Sequence, residues 1–231
     1  MNNRTNSTMI KLINLKNLDI LVDQLSEFLV EKLTTHDKVL WLLSGGSNIA
    51  VECKIMDKIP DNLTGKLIIG LIDERFGKLN HADSNMFQLR SAGFKQKQSI
   101  ILEIINNYTA TIESATDSYD QALTRILEET DIYSVGQLGM GLDGHVAGLL
   151  PDNPIMDSDK LVDHYSSHPF KRISLTPKGL SYLNQVFLVI NDESKQKMVY
   201  KMIEGNSQSE AEMPAMILNR YNSVTVYNIN N

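Results

Sequence analysis

Three short and almost uninterrupted apolar runs constrain this chain most: Val39-Leu40-Trp41-Leu42-Leu43, Leu67-Ile68-Ile69-Gly70-Leu71-Ile72 and Val186-Phe187-Leu188-Val189-Ile190. Runs of this length without polar alternation read as strands buried on both faces. Between them apolar residues recur at helical spacing, as in Leu18, Leu21, Val22, Leu25, Phe28, Leu29 and Leu33. Further strands are expected over 99–105, 134–138 and 224–227, and helices over 111–129 and 193–203. Another helix should run to Ile59 from a cap at Ser47 or Asn48. Strands alternating with helices predict an α/β fold: an open, largely parallel sheet flanked by helices, Rossmann-like in layout.

The 231 residues fit one such domain over 1–231, with no repeat, low-complexity tract or linker to divide it. A net charge of -6 argues against nucleic acid or an anionic membrane as partner. Any anionic ligand must therefore be held by local positive groups. Cys53 is the sole cysteine, which excludes an intrachain disulfide and a cysteine metal cluster. No window has the apolar length of a membrane span, and Met1-Asn2-Asn3-Arg4-Thr5-Asn6-Ser7 lacks the apolar run of a secretory signal. The cytoplasm is the expected location.

Two polar segments follow buried runs. Ser44-Gly45-Gly46-Ser47 offers backbone N–H groups, two hydroxyls and a helix start, a combination suited to phosphate, although an ordinary strand-to-helix turn has the same letters. It is not a P-loop, because no Gly-Lys-Ser/Thr follows. Asp73-Glu74-Arg75 sits at the carboxyl end of a strand, where open α/β sheets place their ligands; elsewhere such a triplet is a solvated surface.

The segment Leu138-Gly139-Met140-Gly141-Leu142-Asp143-Gly144-His145 joins a glycine-rich turn to a carboxylate and an imidazole. Histidine is the side chain whose unperturbed pKa suits proton transfer near neutrality. In an extended segment Asp143 would project to the same side as His145 and orient its ring. Gly139, Gly141 and Gly144 also spell the dinucleotide fingerprint, but the turn-rich Pro151-Asp152-Asn153-Pro154 follows, where that motif needs a βαβ unit. His164 and His168 have the i, i+4 spacing of zinc ligands on a helix; Pro169 and neighbouring serines favour a loop instead. Arg172 suits a phosphate bidentately and Lys195 as a point charge, though either can be merely exposed. His81 is a turn residue or a neighbour of the site. No Gly-x-Ser-x-Gly elbow is present and Cys53 falls in an amphipathic stretch, so covalent catalysis is not expected.

Taken in order, Ser44-Gly45-Gly46-Ser47, Asp73-Glu74-Arg75 with His81 and Asp83-Ser84-Asn85, Gly139-x-Gly141-x-Asp143-Gly144-His145-x-Ala147, Arg172-Ile173-Ser174-Leu175-Thr176 and Lys195 resemble the 6-phosphogluconolactonase family. The resemblance extends more weakly to Met213-Pro214-Ala215. It implies the fold shared with glucosamine-6-phosphate deaminases and hydrolysis of 6-phospho-D-glucono-1,5-lactone in the oxidative pentose phosphate pathway, with neither metal nor organic cofactor. The partner implied is that small phosphosugar lactone, met by a monomer or small homo-oligomer. His145 would be the general base, supported by Asp143, with Arg75 or glycine-loop N–H groups at the oxyanion. Ser44, Gly45, Gly46, Ser47, Asp73, Gly141, Arg172 and Lys195 would bind the substrate and its phosphate. Asn48-Ile49 and Phe76-Gly77 depart from the Thr-Pro and Val-Pro common in the family. In the deaminases the histidine motif typically ends in Asn-Glu-Pro, whereas here it reads Leu149-Leu150-Pro151, so the acid used in ring opening and amine loss is absent. A deaminase-like isomerase and a non-catalytic sugar-phosphate sensor are the alternatives.

Overall fold

Each apolar run becomes a strand because a segment covered on both faces has only its backbone polar groups left to satisfy, and neighbouring strands do so. A computed structural model describes residues 10–205, 208–221 and 223–229; the polar segment 1–7 lies outside the described residues. In chain order the elements are β1 (Lys11–Leu15), α1 (Leu18–Thr35), β2 (Lys38–Leu43), α2 (Ile49–Lys58), β3 (Leu67–Leu71), β4 (Asp73–Phe76), α3 (Asn85–Ser91) and β5 (Ile100–Ile101). There follow α4 (Ile112–Leu127), β6 (Ile132–Leu138), β7 (Val162–Ser167), β8 (Phe170–Leu175), α5 (Pro177–Ser181), β9 (Gln185–Ile190), α6 (Gln196–Glu204) and β10 (Val224–Ile229).

Seven strands form one sheet in the order β1-β10-β9-β6-β2-β3-β5, and every pairing in it is parallel. From β2 the chain steps outward through β3 to β5, then returns through α4 to β6 on the other side of β2. The connections leaving β2 and β6 thus diverge, which opens a crevice outside their carboxyl ends, the usual ligand position in such sheets. Val39 to Leu43 are all fully buried in the centre. On α1 the stripe Leu21, Val22, Leu25, Leu29 and Leu33 is buried against the same core. Each such side chain contributes about 1.5–3 kcal/mol by leaving water.

A smaller antiparallel sheet, β4-β8-β7, was not anticipated from the apolar runs. Its origin lies at the end of β3. Because β5 pairs only Ile68 and Ile69, the Tyr119 hydroxyl takes over the ladder at Leu71, accepting from its N–H at 2.9 Å and donating to its carbonyl at 2.7 Å. Past that plug the chain leaves the main sheet. Asp73-Glu74-Arg75, the charged triplet at the end of that strand, forms β4 and pairs with β8.

Other expectations need correction. The strand over 99–105 is reduced to Ile100–Ile101. The helix over 193–203 begins as a 3-10 turn, Glu193–Lys195, before α6. Asn48 occupies the N-cap position of α2 but makes no side-chain capping bond, because Gly46–Asn48 form a 3-10 turn and Asn48 is itself helical. His164 lies on β7 and His168 in the β7–β8 turn, so their spacing of four separates them along a hairpin instead of stacking them on a helix. Among the described residues no helix is long and apolar enough to cross a membrane.

Candidate active site

A cavity at the carboxyl ends of β2 and β6 is lined by Ser44, Gly45, Gly46, Ser47, Asp73, Arg75, Gly141, His145, Arg172 and Lys195, together with Asn85, Gly139, Met140 and Ala147. Ten of the eleven residues singled out in the sequence line it; the eleventh, Asp143, is hydrogen-bonded to His145.

His145 hangs from a tight turn built by its own backbone. Gly141 N–H donates to the His145 carbonyl at 2.9 Å and Gly144 N–H to the Gly141 carbonyl at 3.1 Å. Asp143 meets the ring through this turn, so the expected extended segment does not form. Its Oδ1 lies 2.6 Å from His145 Nδ1 and 3.2 Å from the His145 N–H. A carboxylate can only accept, so Nδ1 carries a proton, and whenever the ring is neutral Nε2 is the nitrogen with the free lone pair. Partial burial pushes the Asp143 carboxyl up, but the His145 charge and its hydrogen bonds outweigh that and hold it below the usual range. Gly144 adopts φ +81, and an added Cβ there would also stand 2.6 Å from Met213 Cγ. The Gly141 and Gly144 N–H groups are thus both engaged in closing the turn.

The small sheet holds this loop from below. Ser174 Oγ on β8 accepts from Gly148 N–H at 2.9 Å. Tyr165 OH on β7 donates to the Gly148 carbonyl at 2.6 Å and accepts from Leu150 N–H at 3.2 Å.

On the opposite wall, Asn48 and Glu52 of the α2 segment reach back beneath the glycine loop, and both are fully buried. Glu52 Oε1 accepts from Ser44 N–H at 2.9 Å, and Asn48 Nδ2 donates to Ser44 Oγ at 2.9 Å. Ser44 therefore brings its hydroxyl to the cavity but not its N–H. Burial pushes the Glu52 carboxyl well up, against the pull of its Ser44 bonds. The Gly46 and Ser47 N–H groups belong to the first turn of the helical segment, where no earlier carbonyl of that segment can take them.

Sequence reasoning placed Asp73-Glu74-Arg75 together, yet the three diverge. Burial raises the Asp73 carboxyl in the cavity despite Arg75, Arg172 and His145 around it. Glu74 turns away and accepts from Ser84 Oγ and from the N–H groups of Arg75, Asn85 and Met86. Arg75 Nη1 donates to the Asp83 carbonyl at 3.1 Å, and His81 Nε2 bonds the Arg75 carbonyl at 2.8 Å, so His81 supports the site from outside. Asn85, 1% exposed, was visible only as part of a turn motif. Its Nδ2 donates to the Asp73 carbonyl at 2.9 Å, and its amide packs so close to Gly45 that a Cβ there would lie 2.1 Å from Oδ1. Among the described residues no group of three His, Cys, Asp or Glu is arranged to hold a metal ion.

The model of a family described as glucosamine-6-phosphate isomerases/6-phosphogluconolactonase matches residues 17–227. A probable 6-phosphogluconolactonase of Arabidopsis thaliana is 27% identical, with 93% of this chain and 87% of that protein covered. A 6-phosphogluconolactonase structure from Shewanella baltica superposes with a TM-score of 0.82 at 20% identity, over 97% of this chain and 99% of that one. A monomeric glucosamine-6-phosphate deaminase superposes at 0.75 with 20% identity, covering 94% and 96%. At these identities the two structures speak for the fold alone.

Proposed function

Since the chain belongs to the glucosamine-6-phosphate isomerase/6-phosphogluconolactonase family, we propose that it is a lactonase that hydrolyses 6-phospho-D-glucono-1,5-lactone to 6-phospho-D-gluconate. The observation that carries this choice within the family is the Asp143–His145 pair with leucines where the deaminase motif carries its acid: Leu149 is buried in the core and Leu150 half-buried. A deaminase needs a carboxylate there to partner the histidine.

His145 Nε2 takes a proton from water as the water oxygen bonds to C1 of the lactone, and the carbonyl electrons move to the oxygen. On collapse the C1–ring oxygen bond breaks, and the imidazolium returns its proton to the departing oxygen. General acid-base transfer of this kind supplies about 100- to 10,000-fold. Asp143 keeps the proton on Nδ1 and stabilises the transient imidazolium. With the Gly141 and Gly144 N–H groups occupied, Arg75 is the donor assigned to the oxyanion.

Arg172, Lys195, the Ser44 hydroxyl and the Gly45, Gly46 and Ser47 backbone hold the phosphate. Asp73 does not suit a dianion and instead accepts from sugar hydroxyls, while Gly141 leaves room for the ring. The reading needs neither cofactor, nucleic acid nor membrane, and places the enzyme in the cytoplasm as a monomer or small homo-oligomer.

The test supplies fresh lactone and follows acid release above the spontaneous rate, beside an ammonia assay on glucosamine 6-phosphate. Acceleration of lactone opening without ammonia is expected. Ammonia without lactone opening overturns the assignment in favour of a deaminase, and phosphosugar binding with neither activity favours a sensor.

A further inference from the structure

Arg75 and Arg172 stand directly opposite each other in the β4–β8 ladder, where like charges side by side destabilise a sheet. Among the described residues neither guanidinium forms an ion pair, and the Nε of each is buried without a hydrogen-bond partner. Both instead lie over a single ring: each Cζ is 5.6 Å from the Phe170 centroid. The register explains how one ring serves two cations. Phe170 is two residues before Arg172 on the same face of β8 and diagonal to Arg75 on β4.

We infer that Phe170 is a positioning residue, whose ring holds Arg75 and Arg172 together as one anion clamp at the cavity wall. The inference rests on the reading of the cavity as a phosphosugar site. A π face attracts a guanidinium within about 6 Å of its centroid and does so without neutralising it, which a carboxylate would do. The ring thereby leaves the positive charge of both arginines to the cavity, which they share with Asp73. With the Nε atoms buried and Arg75 Nη1 bonded to the Asp83 carbonyl, the remaining outer N–H groups of the two forks are the ones available to the phosphate and the developing oxyanion. Phe170 is only half-buried, so its replacement tests the clamp more than the core.

The experiment measures binding of 6-phosphogluconate, gluconate and inorganic phosphate to Phe170→Leu and Phe170→Tyr by calorimetry, with kcat and KM on the lactone alongside. Loss of two partly exposed cation–π contacts predicts phosphate-dependent affinity about three- to tenfold weaker in Phe170→Leu. Gluconate binding should change less, and Phe170→Tyr should restore the wild-type value within about twofold. In an Arg75→Ala/Arg172→Ala background, Phe170→Leu should cost no further phosphate affinity, a result that a merely structural ring would not give. Unchanged binding in Phe170→Leu, an equal loss in the background without the arginines, or failure of tyrosine to rescue overturns the inference. Phe170→Met repeats the series where the leucine variant does not fold. Because the binding measurements do not involve turnover, a protein inactive on the lactone would sink the lactonase reading while leaving the clamp to be judged separately.

Discussion

Gly141→Ala isolates the Asp143–His145 pair without touching either side chain. A methyl built on Gly141 would stand 2.2 Å from His145 Nδ1, 2.3 Å from Cε1 and 2.5 Å from Asp143 Oδ1. Non-bonded carbon contacts settle near about 3.5–4.0 Å, so ring and carboxylate must each retreat by about 1 Å or more. The backbone is no obstacle, since Gly141 is not among the glycines with positive φ. With 35% of the imidazole and 46% of the Asp143 side chain exposed, both can swing toward solvent. The fold therefore pays modestly, about 1–3 kcal/mol for local overpacking. Catalysis loses much more, because a misplacement of about 1 Å costs on the order of 100-fold. A pH-stat on fresh lactone, corrected for spontaneous opening, should show kcat down by about 100-fold or more, up to the whole general-base contribution. Gly65→Ala, whose methyl would meet only Gln98 Oε1 at 3.7 Å, controls for the substitution itself. If Gly141→Ala stays folded and turns over within about threefold of wild type, the pair is not the catalytic unit described above.

His145→Ala should lower kcat by about 100- to 10,000-fold and leave 6-phosphogluconate binding nearly intact; rapid turnover by the folded variant removes the imidazole from the mechanism. Arg172→Ala should weaken 6-phosphogluconate by about 1.5–3 kcal/mol, roughly ten- to a hundredfold, and spare gluconate; calorimetry showing equal losses for both sugars would contradict the phosphate assignment. Lys195→Ala should act in the same direction, and retention of the full phosphate preference in both variants would count against the placement. Glu52→Gln probes a buried acid whose folded pKa is raised, so the native state holds a proton that the unfolded state has released. Wild-type stability should therefore fall as pH rises above the unfolded carboxyl's value of about 4.3 toward the folded one. Gln keeps the acceptor for Ser44 N–H but does not titrate, so its stability relative to wild type should grow in urea titrations as pH rises above about 4.3; a pH-independent difference would contradict the raised pKa.

The central strands were legible because a buried parallel strand needs no polar alternation, and residues 39–43 and 186–190 carry that pattern. The hairpin that supports the loop of Asp143 and His145 was not. Val162–Ser167 and Phe170–Leu175 mix serines, histidine and charge with apolar residues, and His168-Pro169 between them reads as a break. Asp143, His145 and the glycine loop could be found from letter spacing, since their geometry is local. Glu52 and Asn48 could not: a charged residue in an amphipathic helix is ordinarily solvated, and only the tertiary fold turns these two inward toward Ser44. The bonds of the Ser44 and Gly141 N–H groups are hidden for a related reason, because sequence shows which donors exist but not which are already engaged.

The edge of the main sheet has a consequence for how the chain is made. Among the described residues strand β1 pairs only with β10, and Asn14 Oδ1 accepts from Asn228 Nδ2 across 214 residues of sequence. At ribosomal speeds of about 5–20 residues per second, β1 waits roughly 10 to 40 s after its own emergence before that partner is available. The cavity is less remote from its parts: its lining residues run from Ser44 to Lys195, so all of them leave the ribosome before the first residue of β10. A nascent chain can thus assemble the crevice while one margin of its sheet is still unpaired, and that margin is where a chaperone or a second nascent chain would find open backbone.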